Sequence, residues 1–277
     1  MSKHTLTALA CLLAGAAICI VSCKKDANPS ASVNQAGVSQ ATLDKISALG
    51  FSTADVRKFD GKYLVEGDIL LSDADLNTKA NSPFLTTAKE EQYRTNYVVT
   101  GLPRQITVRV ASSLGSAFVA GTDTAIARYN RLGLTLTFRR ITSGTANITI
   151  SGFNEGPSGG FITLGSAGFP TSSGNPYNSI LMNTNSAAYG SNPNVLYVGS
   201  VIQHEIGHCI GFRHTDYFNR ALSCGGSASN EGSAGIGAIL IPGTPSGNSA
   251  NSWMLACSNG GNRTFNANDI VALNYLY

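Results

Sequence analysis

Charge is scarce in this sequence. Lys, Arg, Asp and Glu together make up 13% of its 277 residues, and the net charge of +3 is spread without a basic stripe. That distribution excludes the electrostatic footprint of a nucleic-acid binder. Few charges joined to abundant Gly, Ser, Thr and Asn suit a compact, loop-rich extracellular protein rather than a disordered one. There is no internal repeat, and no Asp-rich repeat that would demand calcium. Long apolar runs are nearly absent as well. The one exception, Leu6 to Val21, is too short and too early to be read as a spanning helix. Histidine is scarcer still: there are four, and three of them fall within eleven residues of one another.

The apolar run follows Lys3 and His4, as in an export signal. It ends in Ile20-Val21-Ser22-Cys23, which resembles the lipobox of bacterial lipoproteins, and polar Lys24-Lys25-Asp26 follows at once. The resemblance implies removal of residues 1–22 and acylation of Cys23. The protein would then touch a membrane only through a lipid anchor. Lys24 rather than Asp after the cysteine points, by family analogy, to the bacterial outer membrane. An ordinary secretory signal, giving a secreted protein, is the alternative. Residues 23–40 read as a flexible tether, polar and small with no apolar period.

Beyond the tether, Leu43, Ile46 and Leu49 share one helical face and Gly50 can end that helix. Ser52 to Asp55 looks like a second helix start, and Tyr63 to Leu71 reads as one extended segment. Residues 41–95 are taken as an N-terminal segment and 96–277 as the main domain. In the latter, Ile106, Val108 and Val110 alternate as a strand with one buried face. Phe118, Thr122, Ala125, Ile126 and Tyr129 suit an amphipathic helix, despite Gly121. Leu134 to Phe138, Ile148 to Ile150, Phe161 to Ala167 and Ser179 to Met182 read as further strands. The order predicts an α+β fold on a mixed sheet.

The chemistry concentrates in His204-Glu205-Ile206-Gly207-His208-Cys209-Ile210-Gly211-Phe212-Arg213-His214. On a helix, His204 and His208 lie one turn apart on one face and can reach one metal ion. Ile202, Ile206 and Ile210 also step by four, roughly 200° away at about 100° per residue, so they pack inward. Gly211 permits the positive φ that ends the helix and brings His214 back as a third ligand. Three neutral nitrogens hold one zinc and leave a position open for water, as in catalytic sites. Glu205 is placed to act as general base toward that zinc-bound water. A short H-E-x-x-H match arises by chance, but here the extended pattern is complete. The only other histidine, His4, lies in the export signal.

This pattern resembles the metzincins, and His204 to Asp216 is most similar to the bacterial dual-action HEIGH metallopeptidases. The resemblance, strongest from Val201 onward, implies a zincin catalytic domain with an active-site helix and a C-terminal helix. It also implies zinc-dependent cleavage of peptide or protein substrates. Met254, in Ser252-Trp253-Met254, would be the Met-turn floor beneath the metal. Asn266 to Tyr277 would be the C-terminal helix, capped by Asn266 with Asp269. Gly165 to Pro170 is similar to the matrixin edge strand along which an extended peptide binds. Astacins carry a tyrosine ligand where this chain has Ala256, so none is expected. Asp216 has no assigned role. Val65-Glu66-Gly67-Asp68 is similar to the Phe-x-Gly-Asp motif of astacin propeptides, whose aspartate occupies zinc's open position. Asp68 is thus a candidate latency ligand and 41–95 an inhibitory pro-segment; an ordinary strand end is the alternative. No cysteine lies in 24–100, so a cysteine switch there is excluded.

Three thiols remain after Cys23, namely Cys209, Cys224 and Cys257, which allows one disulfide at most. Cys224–Cys257 is preferred because Cys209 sits in the active-site helix, though the pairing stays open. Two other functions compete with a peptidase acting as a monomer: a non-catalytic zinc-binding surface lipoprotein, and a zinc amidase acting on cell-wall peptides. Glu205 argues against the first, since a structural site needs no general base.

Overall fold

The computed structural model describes residues 37–77, 92–158, 160–232, 235–244 and 249–277. The expected signal, Cys23 and most of the tether lie outside the described residues, as does part of the N-terminal segment. The helix expected around Leu43 to Leu49 is α1 (Gln40–Ala48), capped by Ser39, whose side chain accepts from Thr42 N. Residues 52–55 form a turn instead of a second helix. Ser52 spends its hydroxyl on Ala54 N, a local bond that competes with helix continuation.

The expected extended segment from Tyr63 to Leu71 is broken in two. After β1 (Arg57–Phe59) come β2 (Lys62–Val65) and β3 (Ile69–Leu71), antiparallel partners with Val65 opposite Ile69. Glu66, Gly67 and Asp68 are therefore the three-residue tip of a hairpin. Glu66 (φ 55°) and Gly67 (φ 90°) both sit in the left-handed region that such tight loops require. Ile46, Leu49, Phe51, Val56, Val65, Ile69 and Leu71 bury one another in a small core of their own.

The larger part of the chain contributes β4 (Tyr93–Arg94), β5 (Arg104–Val110), β6 (Leu136–Arg140), β7 (Ile148–Phe153), β8 (Gly165–Ala167), β9 (Ser179–Asn183) and β10 (Ile239–Leu240). Its helices are α2 (Ser116–Asn130), α3 (Ser186–Tyr189), α4 (Val195–Ile210), α5 (Ala221–Cys224) and α6 (Ala267–Leu276). The main sheet has eight strands in the order β1-β2-β3-β8-β9-β7-β5-β6. Pairing is parallel among β6, β5, β7 and β9, and antiparallel between β8 and β9. Alternation predicted β5, and its Ile106 and Val108 are fully buried against the helical layer. The fold is α+β with a mixed sheet, as the element order implied. One expectation changes. β8 is not an edge, because β3 runs parallel alongside it with Ile69 opposite Ala167. The hairpin occupies the edge where an extended peptide was expected to lie.

Residues 92–95, on the N-terminal side of the expected 95/96 boundary, are knitted into the main domain. Tyr93 and Arg94 pair with β10, Thr95 N donates to Gly211 O, and the Gln92 amide bonds Asp269 and Ser252.

Gly121, awkward in a helix by propensity alone, has a packing reason. Helices α2 and α4 meet there, and a Cβ on Gly121 would lie 2.9 Å from Val198 Cγ1 and 3.1 Å from Gly199 N. Ala in place of Gly gains up to about 1 kcal/mol of helix propensity. Overpacking a close helix crossing costs about 1–3 kcal/mol. The second effect wins, so Gly121→Ala is expected to lower the urea midpoint; an unchanged or raised midpoint would show that the crossing has slack.

Candidate metal centre

Helix α4 starts at an Asn194 cap, whose side chain accepts from Leu196 N and Tyr197 N. It ends at Gly211 with φ 114°. Ile202, Ile206 and Ile210 are fully buried on its inner stripe. The opposite stripe presents His204 and His208, and the Gly211 turn returns His214 to the same point. His208 Nε2 lies 3.1 Å from His204 Nε2 and 3.2 Å from His214 Nε2. Tetrahedral zinc with Zn–N near 2.0–2.1 Å sets its ligand atoms about 3.3 Å apart. The three nitrogens therefore fit that ion. Asp68 completes the group, with Oδ2 3.0 Å from His214 Nε2, 3.4 Å from His204 Nε2 and 4.0 Å from His208 Nε2. All four residues can hold one metal ion.

Each imidazole is oriented through its other nitrogen. His204 Nδ1 donates to Trp253 O (2.8 Å) and His208 Nδ1 to Phe212 O (2.9 Å). His214 Nδ1 donates to Glu231, at 2.9 and 3.1 Å from the two oxygens. This assignment leaves every Nε2 lone pair aimed at the common point. Sequence reasoning missed Glu231. Its signal was available: it is the only acidic residue between Asp216 and Asp269.

The electrostatics favour positive charge at this point. Burial acts to lower the pKa of His214, but Asp68 and Glu231 outweigh it and raise it well above the usual imidazole range. Burial alone would raise Glu231; His214, Arg220 and Arg213 bring it down to about 2. Asp68 behaves likewise, held well below the carboxylate range by the histidines against its burial. His208, with no carboxylate so close, is lowered by burial and by its two neighbouring imidazoles. Glu205 is buried beside this cluster, and burial, then Asp68, push its pKa well up. Its Oε2 makes no hydrogen bond among the described residues. Glu66 is raised by burial and by Glu231, with Arg213 pulling the other way.

Below the histidines, Met254 is fully buried, and a Cβ on Gly207 would lie 2.5 Å from its Sδ. That contact explains the glycine inside the motif: any side chain there would strike the methionine. Asp269 of α6 holds the turn, accepting from Ser252 Oγ (2.8 Å) and Trp253 N (3.1 Å). It is also the partner of Asn266 in a capping box. Asp216, unassigned from sequence, accepts from Ala256 N and Ser223 Oγ, tying the loop after His214 to the segment after Met254. A disulfide joins Cys224 to Cys257 across the same two segments, and Cys209 is a free, buried thiol. Thr215, Asp216, Leu222, Ser249, Ala250 and Leu255 line a small cleft there.

Two histidines and a glutamate on one helix, joined by a third histidine beyond the Gly211 turn, form a buried cluster of the kind that metal-dependent hydrolases use. The family model described as dual-action HEIGH metallo-peptidase matches residues 64–277, and the chain belongs to that family. Three imidazole nitrogens with a carboxylate form a donor set that suits zinc. No curated protein matches the sequence. Two solved structures of myroilysin are similar at 14% identity. One covers 44% of this chain and 54% of that one with a TM-score of 0.33; the other covers 43% and 48% with a TM-score of 0.31. The chain thus spans about half the length of these structures, and such distant likeness assigns no activity.

Glu231→Gln keeps the shape of the His214 contact but removes its charge. Zinc affinity, measured by competition with a chromophoric chelator, is expected to fall about 10–100-fold. An unchanged affinity would mean that Glu231 is only packing.

Proposed function

We propose that the protein is a zinc endopeptidase, made as a latent precursor whose own hairpin blocks the metal site. The observation that carries this reading is the convergence of three Nε2 atoms, that of His208 lying 3.1 and 3.2 Å from the other two, beside a buried glutamate whose Oε2 makes no hydrogen bond among the described residues. When bound, zinc supplies Lewis acidity, rendering a water nucleophilic near neutral pH and polarising the scissile carbonyl. His204, His208 and His214 hold the metal. Glu205 takes the proton of the attacking water and passes it to the leaving amine. The β8 backbone binds the peptide by main-chain hydrogen bonds once the hairpin leaves, as Ala167 N now donates to Asp68 O. The cleft between Thr215 and Leu255 accepts a side chain of the substrate next to the cut.

Asp68 acts as the latency ligand, supported by its approach to all three imidazoles. On this reading residues 41–95 contain the inhibitory segment, with its C-terminal limit before Gln92, because Gln92 to Thr95 belong to the hydrogen bonding of the main domain. Export with lipid attachment at Cys23, ending at the outer membrane, completes the proposal. Mass spectrometry of the exported protein, showing an acylated Cys23 or some other N-terminus, decides that part.

Casein hydrolysis by the processed protein should vanish with a zinc chelator. Glu205→Ala should lose on the order of 10²–10⁴ in rate while retaining one zinc. Retained hydrolysis in that variant would sink the assigned mechanism. A zinc-loaded protein that never cleaves casein but opens cell-wall cross-links would favour the amidase instead. For latency, unprocessed Asp68→Ala should be active where the unprocessed wild type is not; equal activity would remove Asp68 from the role.

A further inference from the structure

The hairpin tip carries two carboxylates, and only Asp68 has been given a role. Glu66 is the more deeply placed: its side chain is 0% exposed, against 13% for Asp68. Its Oε2 lies 3.5 Å from Arg213 Nη2, and its Oε1 accepts from Ser52 N at 3.1 Å. The Glu66 carbonyl accepts from Arg220 Nη1, and Thr163 Oγ1 donates to the carbonyl of Gly67 at 3.0 Å. The residue adopts φ 55°, a conformation that a non-glycine side chain holds only where its surroundings enforce it.

The receiving side is equally specific. Arg213, inside the histidine motif, is fully buried and stacks over Phe51 (5.0 Å), Tyr217 (5.8 Å) and Phe169 (5.9 Å). It donates to the carbonyls of Gly237 and Gly232 and lies 3.5 Å from Glu231. Glu231 is itself committed to His214. With the Glu66 side chain taken away, the one carboxylate within 4 Å of Arg213 among the described residues is Glu231, which Arg220 shares at 3.4 Å. A buried cation losing a partner is strongly unfavourable.

We infer that Glu66, seated against Arg213 and Arg220, is a second clasp of the inhibitory hairpin, one that holds it in the cleft without any metal. The inference rests on the reading of the hairpin as an inhibitory plug and adds to it. Asp68 holds the hairpin only through the imidazole cluster itself, at 3.0–4.0 Å from the three Nε2 atoms. The Glu66 contacts lie off the metal point, on the Glu231 side of the third histidine, and use none of the three Nε2 lone pairs. The hairpin can therefore be docked as the chain folds, before zinc arrives, and remain docked if zinc is lost. Glu66 is a positioning residue: it places Asp68.

Hydrogen exchange at the amides of Leu64 to Leu71 in the full-length protein tests this, with zinc bound and after chelation. Wild type should protect these amides in both states. Glu66→Gln, nearly isosteric, should protect them with zinc but exchange about tenfold faster or more without it; amides of β5 and α4 should stay protected in both. Asp68→Ala should behave like wild type in this measurement, with the hairpin docked in both states. Equal protection of the hairpin in metal-free Glu66→Gln and wild type would overturn the clasp. If Glu66→Gln does not fold, Arg220→Gln, whose side chain is 20% exposed, should give the same metal-dependent loosening, and its absence there would overturn the proposal equally. Because exchange is read without turnover, a protein that cleaves no peptide would defeat the proposed function without touching this measurement.

Discussion

Three imidazoles cannot share one point in a protein interior unless something neutralises the charge they gather and something stops them rotating. Nearly every feature of the site answers one of those two demands. Rotation is stopped by the three Nδ1 contacts, to the carbonyls of Trp253 and Phe212 and to the carboxylate of Glu231. Charge is answered by Asp68 and Glu231 on the two sides of His214. A carboxylate as deeply buried as Glu231 needs partners of its own, and Arg213 and Arg220 supply them at 3.5 and 3.4 Å. The network grows outward from the histidines because each buried charge obliges the next.

The same demand connects remote parts of the chain. The Trp253 carbonyl is in position only because Asp269, on the last helix, holds the turn by two hydrogen bonds. Gln92 reaches the same aspartate from the start of the main domain. Met254 then fills the space that Gly207 leaves. A floor described in sequence terms as one methionine is physically a junction of the active-site helix, the turn and the C-terminal helix.

Periodicity made much of the fold legible beforehand. Alternation located β5, β6 and β7, a short apolar run located β9, and the step of four found both stripes of α4. The hairpin was less legible. Tyr63 to Leu71 is apolar enough to read as one strand, and nothing in its hydrophobic pattern marks the left-handed turn at Glu66 and Gly67. The helix expected after Ser52 failed because a local side-chain bond won. β8 was expected at an edge from its resemblance to the matrixin edge strand; its neighbour β3 lies about a hundred residues earlier, a pairing that no local pattern carries.

By itself the sequence determined the metal-binding geometry, since spacing on a helix and a glycine turn are local properties that bring three histidines to one point. It also determined the family, which those residues define. Only the tertiary structure decided what surrounds that point. Glu231, Arg213, Arg220 and Glu66 come together from segments with no local pattern, because burial of one charge selects its partners in space rather than along the chain.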